Sequence, residues 1–448
     1  MLLFFAWAVA MSFAITSAAG LARLSPASRR ASSTGVLLLA LTASPLVAPA
    51  STSRNAGLHL QRMPSYAPPT CPLNRDTSPA TIGLRSLHGP SHNGRSAPQY
   101  SYHVAASYSA KQDSFDADQN LYTRPLHDPS KSKIEDLREC KEAIDPHRRA
   151  KSGQDAFFFS QVGNTHTTTF GVADGVGGWV ESGLDPADFS HGLCEYMACA
   201  ARSWPHGFNT TSLHPKDLLQ VAYDKVTDDA TIEGGGSTAC LAVAEPDGNV
   251  EVANLGDSGF MHLGLNAVRH FTQPQTHAFN TPYQLSKTPH RMLVQMAVFG
   301  GPSTLSDLPK ESSVTHHKVR HGDVLVFATD GVWDNLSPQD VLGIVSRTMV
   351  DVGAWVEKDG TMVVADNLAN LVQAGSARKA DSSSLQAKVA VAIAKEAKVT
   401  GLNTRRDGPF AKEVQRYYPG ENWHGGKPDD IAAVVAVVLE DAPPQAKL

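Results

Sequence analysis

From Ala156 onward, short apolar runs alternate with longer amphipathic stretches. Ala156–Ser160, Thr167–Ala173 and Thr238–Ala244 have the length and the apolar, β-branched or aromatic content of strands. Asp247-Gly248 supplies a hairpin turn into Asn249–Asn254, and Gly259–Leu263 with Val268–Thr272 continues the meander. Ala187–Ala201, Pro215–Asp229, Pro338–Val350 and Leu385–Val399 carry helical spacing, and Ser337 caps the third ahead of Pro338. Val324–Ala328 and Ile431–Leu439 are almost wholly apolar, which fits strands covered on both faces. Meandering strands with helices grouped between them, without strict βαβ alternation, predict an α+β layered sandwich.

The first third of the chain is different. Between Met1 and Gln112 there is a single acid, Asp76, among Arg and Lys at positions such as 23, 29, 30, 54 and 62 and many Ser, Ala and Pro. A cationic, acid-poor, Ser-rich N-terminus has the composition of a transit peptide, so residues 1–50 are expected to target the chain to the mitochondrial matrix. The uncharged stretch Met1–Ala22 supports an alternative, a membrane anchor. Residues 51–112 show no sustained periodicity and are expected to be a disordered linker, with the folded domain at 113–448 and its core at about 151–440. A short helix is expected at Lys131–Ile144.

The formal net charge of −5 excludes a nucleic-acid binder held by bulk electrostatics. The five cysteines form no CxxC pair, which points to neither a disulfide framework nor a zinc site.

The candidate chemistry lies in aspartates. Phe170-Gly-Val-Ala-Asp174-Gly175, Asn254-Leu-Gly-Asp257-Ser258, Thr329-Asp330-Gly-Val-Trp-Asp334 and Lys427-Pro-Asp429-Asp430 each set an acid at the end of an apolar strand. One Asp-Gly after a strand is ordinarily a turn. Four strand-end carboxylates in one cleft repel one another unless a cation neutralises them. All the candidate donors are oxygens, which suits Mg²⁺ or Mn²⁺ and not Zn²⁺. A pair of such ions can acidify a water and clamp the oxygens of an in-line phosphoryl displacement, which predicts hydrolysis of a phosphoester by metal-bound hydroxide.

These segments, in this order and together with Gly235-Gly-Ser-Thr-Ala239, resemble the protein phosphatase 2C family of metal-dependent serine/threonine phosphatases over about Lys151 to Glu440. Asp174-Gly-Val-Gly-Gly-Trp179, the segment from His277 to Leu285 and Gly426-Lys-Pro-Asp-Asp-Ile431 are similar to its mitochondrially targeted branch. The resemblance implies an αββα sandwich of two antiparallel sheets flanked by helices, acting on phosphoserine and phosphothreonine in proteins. It implies that Asp174 bridges two metal ions, that the Gly175 carbonyl joins one, and that Asp330 and Asp429 hold the other. Asp257 and Asp334, with Asp330, would form a weaker third-metal site. Substrate choice is expected in the loops near Leu285–Glu311 and Asp359–Asp381.

Two positions depart from the family pattern. Val176 stands where many relatives carry an imidazole that protonates the leaving alkoxide, so a water or another group must do so. Gln154 stands where a metal-binding carboxylate is expected, and an amide oxygen brings no charge. Asp155 is adjacent, but neighbouring strand residues face opposite sides, so it substitutes only through water or a bulge. A catalytically weak pseudophosphatase that binds phosphoproteins as a scaffold is the alternative function. Lys151 or Arg149 is the expected anchor for the substrate phosphate, and the enzyme is expected to be a monomer.

Overall fold

A computed structural model of the chain describes residues 99–123, 149–204, 212–300, 305–373 and 383–441. The expected targeting segment, Met1–Ala22 included, and the helix expected at Lys131–Ile144 lie outside them. Among the described residues, no helix is long and apolar enough to cross a membrane.

Two antiparallel sheets form the centre. One has six strands in the order Leu121–Tyr122, Gln99–Ser109, Ile431–Asp441, Val324–Ala328, Gly259–Gly264 and Ala267–Phe271. The other has five, ordered Ser313–Lys318, Asn249–Leu255, Ala239–Ala244, Thr168–Ala173 and Ala156–Gln161.

The register of Ile431–Asp441 explains why it is so uniformly apolar. Successive side chains in a strand point to opposite faces. Ala432, Val434, Ala436 and Val438 pack between the sheets with Tyr102, Phe170, Phe260 and Phe327. Ile431, Ala433, Val435 and Val437 pack the other way, with Ile344 and Val345 of the helix Pro338–Asp351 and with Val389 and Ile393 of the helix Leu385–Gly401. The second sheet is covered in the same manner by Pro186–Arg202 and Pro215–Asp228, through Phe189, Leu193, Leu218 and Leu219. Helix, sheet, sheet and helix make the four expected layers.

Local signals set the helix starts. Asp185 accepts the Ala187 N–H at 3.0 Å ahead of Pro186, and Ser337 forms a capping box with Asp340.

The linker expected over 51–112 is corrected at its C-terminal part. Gln99–Ser109 is an eleven-residue strand paired with Ile431–Asp441 along its whole length, from Gln99 opposite Asp441 to Ser109 opposite Ile431. Its Tyr100, Tyr102, Val104 and Ala106 alternate into the space between the sheets, a period-two pattern masked by the surrounding serines. Cys194 is a buried free thiol, and Cys199 is disulfide-bonded. His317 lies in the edge strand Ser313–Lys318 with its ring 4.9 Å from that of Phe260 and 4.6 Å from that of His270.

Candidate active site

The pairing of the core strands brings the aspartates to one end of the sandwich. Ala328 pairs with both Gly259 and Ala433, so the turn holding Asp257, the one-turn helix Asp330–Trp333 and the approach to Ile431 emerge side by side. In the second sheet Ala173 pairs with Ala156, which sets Asp174 next to Asp155, and Gly175 bridges to Ser237. Asp257 sits in the connection that crosses from Asn249–Leu255 of one sheet to Gly259–Gly264 of the other.

Backbone hydrogen bonds hold these turns. The Thr238 N–H donates to the Asp174 carbonyl at 2.9 Å, the Asp174 N–H to Thr238 Oγ1 at 3.2 Å, and the Gly175 N–H to the Gln154 carbonyl at 3.1 Å. Asp430 is the clamp between segments. Its carboxylate accepts the Lys111 N–H at 2.5 Å and the Gln154 N–H at 2.8 Å. A side chain at Gly153, which has φ of 71°, would place Cβ 2.1 Å from that carboxylate, so both conformation and space require glycine there.

Lys427 lies in the middle of the acids. Its Nζ is 2.7 Å from Asp330 Oδ2, 2.6 Å from Asp334 Oδ2 and 3.1 Å from Asp429 Oδ2. One ammonium cannot neutralise the whole set. Burial works against the Asp330 carboxylate, but Lys427 overcomes it and holds the group below the usual carboxylate range. Asp174 is held well above that range by burial first, then by Asp330, Asp155, Asp257 and Asp429. Burial, with Asp330 next among the acids, pushes Asp257 up to about 7 although Lys427 pulls the other way. Asp155 is raised by burial and by Asp430, Asp330 and Asp429, against the hydrogen bond that its Oδ2 accepts from Thr329 Oγ1 at 2.7 Å.

The structure thus brings together Asp155, Asp174, Asp257, Asp330, Asp334 and Asp429. Asp155 is the buried member of its pair and stands among the other acids; it lies just before the strand that begins at Ala156, so strand alternation does not govern it. Gln154 is half-buried, and its amide oxygen lies beside the turn at Gly177.

Arg149 donates to Asp188 at 2.6 Å on the helix Pro186–Arg202, and Lys151 is exposed. Two lysines that the sequence analysis passed over are at the site. Lys427 stood within a quoted motif. Lys111 has its Nζ 3.5 Å from Asp429 Oδ1 with its side chain 47% exposed, and the Lys398 ammonium holds its turn by donating to the carbonyls of Ala110 and Lys111.

Among the described residues, no three Asp, Glu, His or Cys side chains form a finished metal cage. The donor set still fits a hard divalent cation. All the donors are oxygens, more negative charge converges than Lys427 offsets, and Asp257 Oδ1 is buried without a hydrogen-bond partner.

The family described as Protein phosphatase 2C matches residues 146–373. "Protein phosphatase 2C homolog 7, mitochondrial" of Saccharomyces cerevisiae is 32% identical over 291 residues, which are 65% of this chain and 75% of that one. "Protein phosphatase PTC7 homolog fig" of Drosophila ananassae is 32% identical over 304 residues, 66% of this chain and 77% of that one. Among solved structures, the photosystem II phosphatase PBCP is similar at 25% identity and a TM-score of 0.45, covering 66% of this chain and 96% of that one.

Proposed function

The chain belongs to the protein phosphatase 2C family and is a protein serine/threonine phosphatase, and from that premise we propose that it works with Mn²⁺ or Mg²⁺ held by the strand-end aspartates described above. Asp174, the Gly175 carbonyl, Asp330 and Asp429 would hold two ions, with Asp155 supporting them from within the cluster. When bound, the ions neutralise the carboxylates and acidify the water that attacks phosphorus. The supporting observation is the clustering of Asp155, Asp174, Asp257, Asp330 and Asp429 with the Lys427 ammonium among them and Lys111 at the rim.

The protein's own groups do the rest. Lys111 binds the substrate phosphate in place of Lys151 or Arg149, since its half-exposed ammonium stands at the rim of the acids while Arg149 is committed to Asp188. Asp430 and Lys398 position it by fixing the turn on both sides. With Val176 after Asp174-Gly175, the leaving seryl or threonyl oxygen takes its proton from water. Phosphoproteins are the substrates, selected by the segment around the helix His290–Phe299, none of whose residues is buried. The acid-poor N-terminus and the mitochondrial name of the yeast relative support a mitochondrial location. The enzyme acts as a monomer. Nothing in the comparisons favours the scaffold alternative.

The test is release of phosphate from a phosphothreonine peptide by the full chain as Mn²⁺ is titrated, with Asp330→Asn alongside. Metal-dependent turnover that the substitution abolishes supports the proposal. A folded protein without turnover at any Mn²⁺ level would leave the scaffold.

A further inference from the structure

The position expected to take a weaker third metal ion, between Asp330 and Asp334 and beside Asp257, is where the Lys427 ammonium lies. Its two shortest contacts, 2.7 Å to Asp330 and 2.6 Å to Asp334, are charge-assisted hydrogen bonds, and its side chain is 16% exposed. Attraction to the acids alone does not account for the placement, because the scaffold delivers the lysine from three sides. The buried Asn335 accepts the Lys427 N–H through Oδ1 at 2.9 Å and donates through Nδ2 to the Lys427 carbonyl at 2.8 Å. The same Nδ2 donates to the Gly331 carbonyl at 2.9 Å, so the lysine backbone is tied directly to the turn that carries Asp330 and Asp334. On the outer side, the Phe410 ring covers the ammonium at 5.0 Å from its centroid, a cation–π contact that a hydrated divalent ion would not need.

We propose that Lys427 is a tethered cation filling the third position, so that the protein takes up two divalent ions where Asp257, Asp330 and Asp334 would otherwise recruit one more. The inference rests on the metal-binding reading of the cluster and extends it. A lysine tied through its backbone offsets one of the two charges of Asp330 and Asp334 whatever the metal supply, so the cation at that position does not depend on the concentration of free Mn²⁺.

The test is equilibrium binding of Mn²⁺ to the full chain, with free Mn²⁺ counted by its paramagnetic resonance, for wild type, Lys427→Gln, Lys427→Arg and Asp334→Asn. The expected result is two ions for wild type, for Lys427→Arg and for Asp334→Asn, and a third, weaker ion for Lys427→Gln. Three ions on wild type, or a folded Lys427→Gln that still takes two, overturns the inference. Should Lys427→Gln not fold, Asp334→Asn decides. An unchanged count of two supports a position filled by the lysine, and a count that falls by one shows an ion there. No bound ion on wild type would instead overturn the metal-binding reading itself.

Discussion

The active site has two halves built from the same residue type, one with a lysine of the protein hydrogen-bonded to its carboxylates and one without. On the side of the five-stranded sheet, the buried Asp155 and the half-buried Asp174 have no cation in hydrogen-bond contact among the described residues, and both carboxyls are pushed well up. On the side of the six-stranded sheet, Asp330 and Asp334 grip Lys427, and Asp330 is held low, although burial still keeps Asp334 well up. The contrast locates the demand for divalent charge. The protein supplies its own cation to Asp330 and Asp334, and the half without one is where the proposed metal ions would matter most.

The largest expected effect comes from attacking the uncompensated half. Loss of a group that merely supports a metal ligand costs about 10–100-fold, so Asp174→Asn should lower turnover by more than about 100-fold. Steady-state phosphate release by the full chain checks it. Removing the cation of the compensated half is the next step down. Lys427→Met leaves the half-buried Asp330 and Asp334 without their ammonium partner, and unfolding in urea with EDTA present should show a loss of about 2 kcal/mol. Saturating Mn²⁺ should reduce that loss.

Lys111→Ala then tests the rim. A charge-assisted hydrogen bond contributes roughly 1.5–3 kcal/mol, so kcat/KM should fall about ten- to a hundredfold, while Lys151→Ala leaves it unchanged. A smaller effect concerns pH. Asp257 sits at about 7 in the folded protein, above its unfolded value, so the native state binds the extra proton between the two. Without metal, stability should therefore fall as pH rises through that window, and Asp257→Asn should flatten the slope. Urea midpoints across pH 4–7 in EDTA would show it.

The order of these effects reflects what could be seen in the sequence. The strand-end aspartates were legible because strands have a period of two and a glycine lies within two residues of each acid, so pattern alone sets Asp174, Asp257 and Asp330 at strand ends. The four layers followed from the uniformly apolar Val324–Ala328 and Ile431–Leu439, which must be covered on both faces. The partners of the aspartates were not legible, because they depend on contacts distant in the chain. Lys111 reaches Asp429 only because Gln99–Ser109 pairs with Ile431–Asp441, and a strand whose apolar residues are interleaved with serine and histidine resembles the polar segment before it. Asp155 lies just before the strand that begins at Ala156, so the alternation applied to it from the sequence does not govern it. Lys427 was quoted in a motif for its neighbours, and only the surrounding acids, Asn335 and Phe410 reveal what it does.

The most direct test of the difference between the halves is the Mn²⁺ affinity of the full chain measured calorimetrically for wild type, Asp174→Asn and Asp334→Asn. Tight binding that Asp174→Asn abolishes and Asp334→Asn largely preserves is the expected result. Binding that survives Asp174→Asn and is lost in Asp334→Asn would put the metal on the half already supplied by Lys427 and contradict the account.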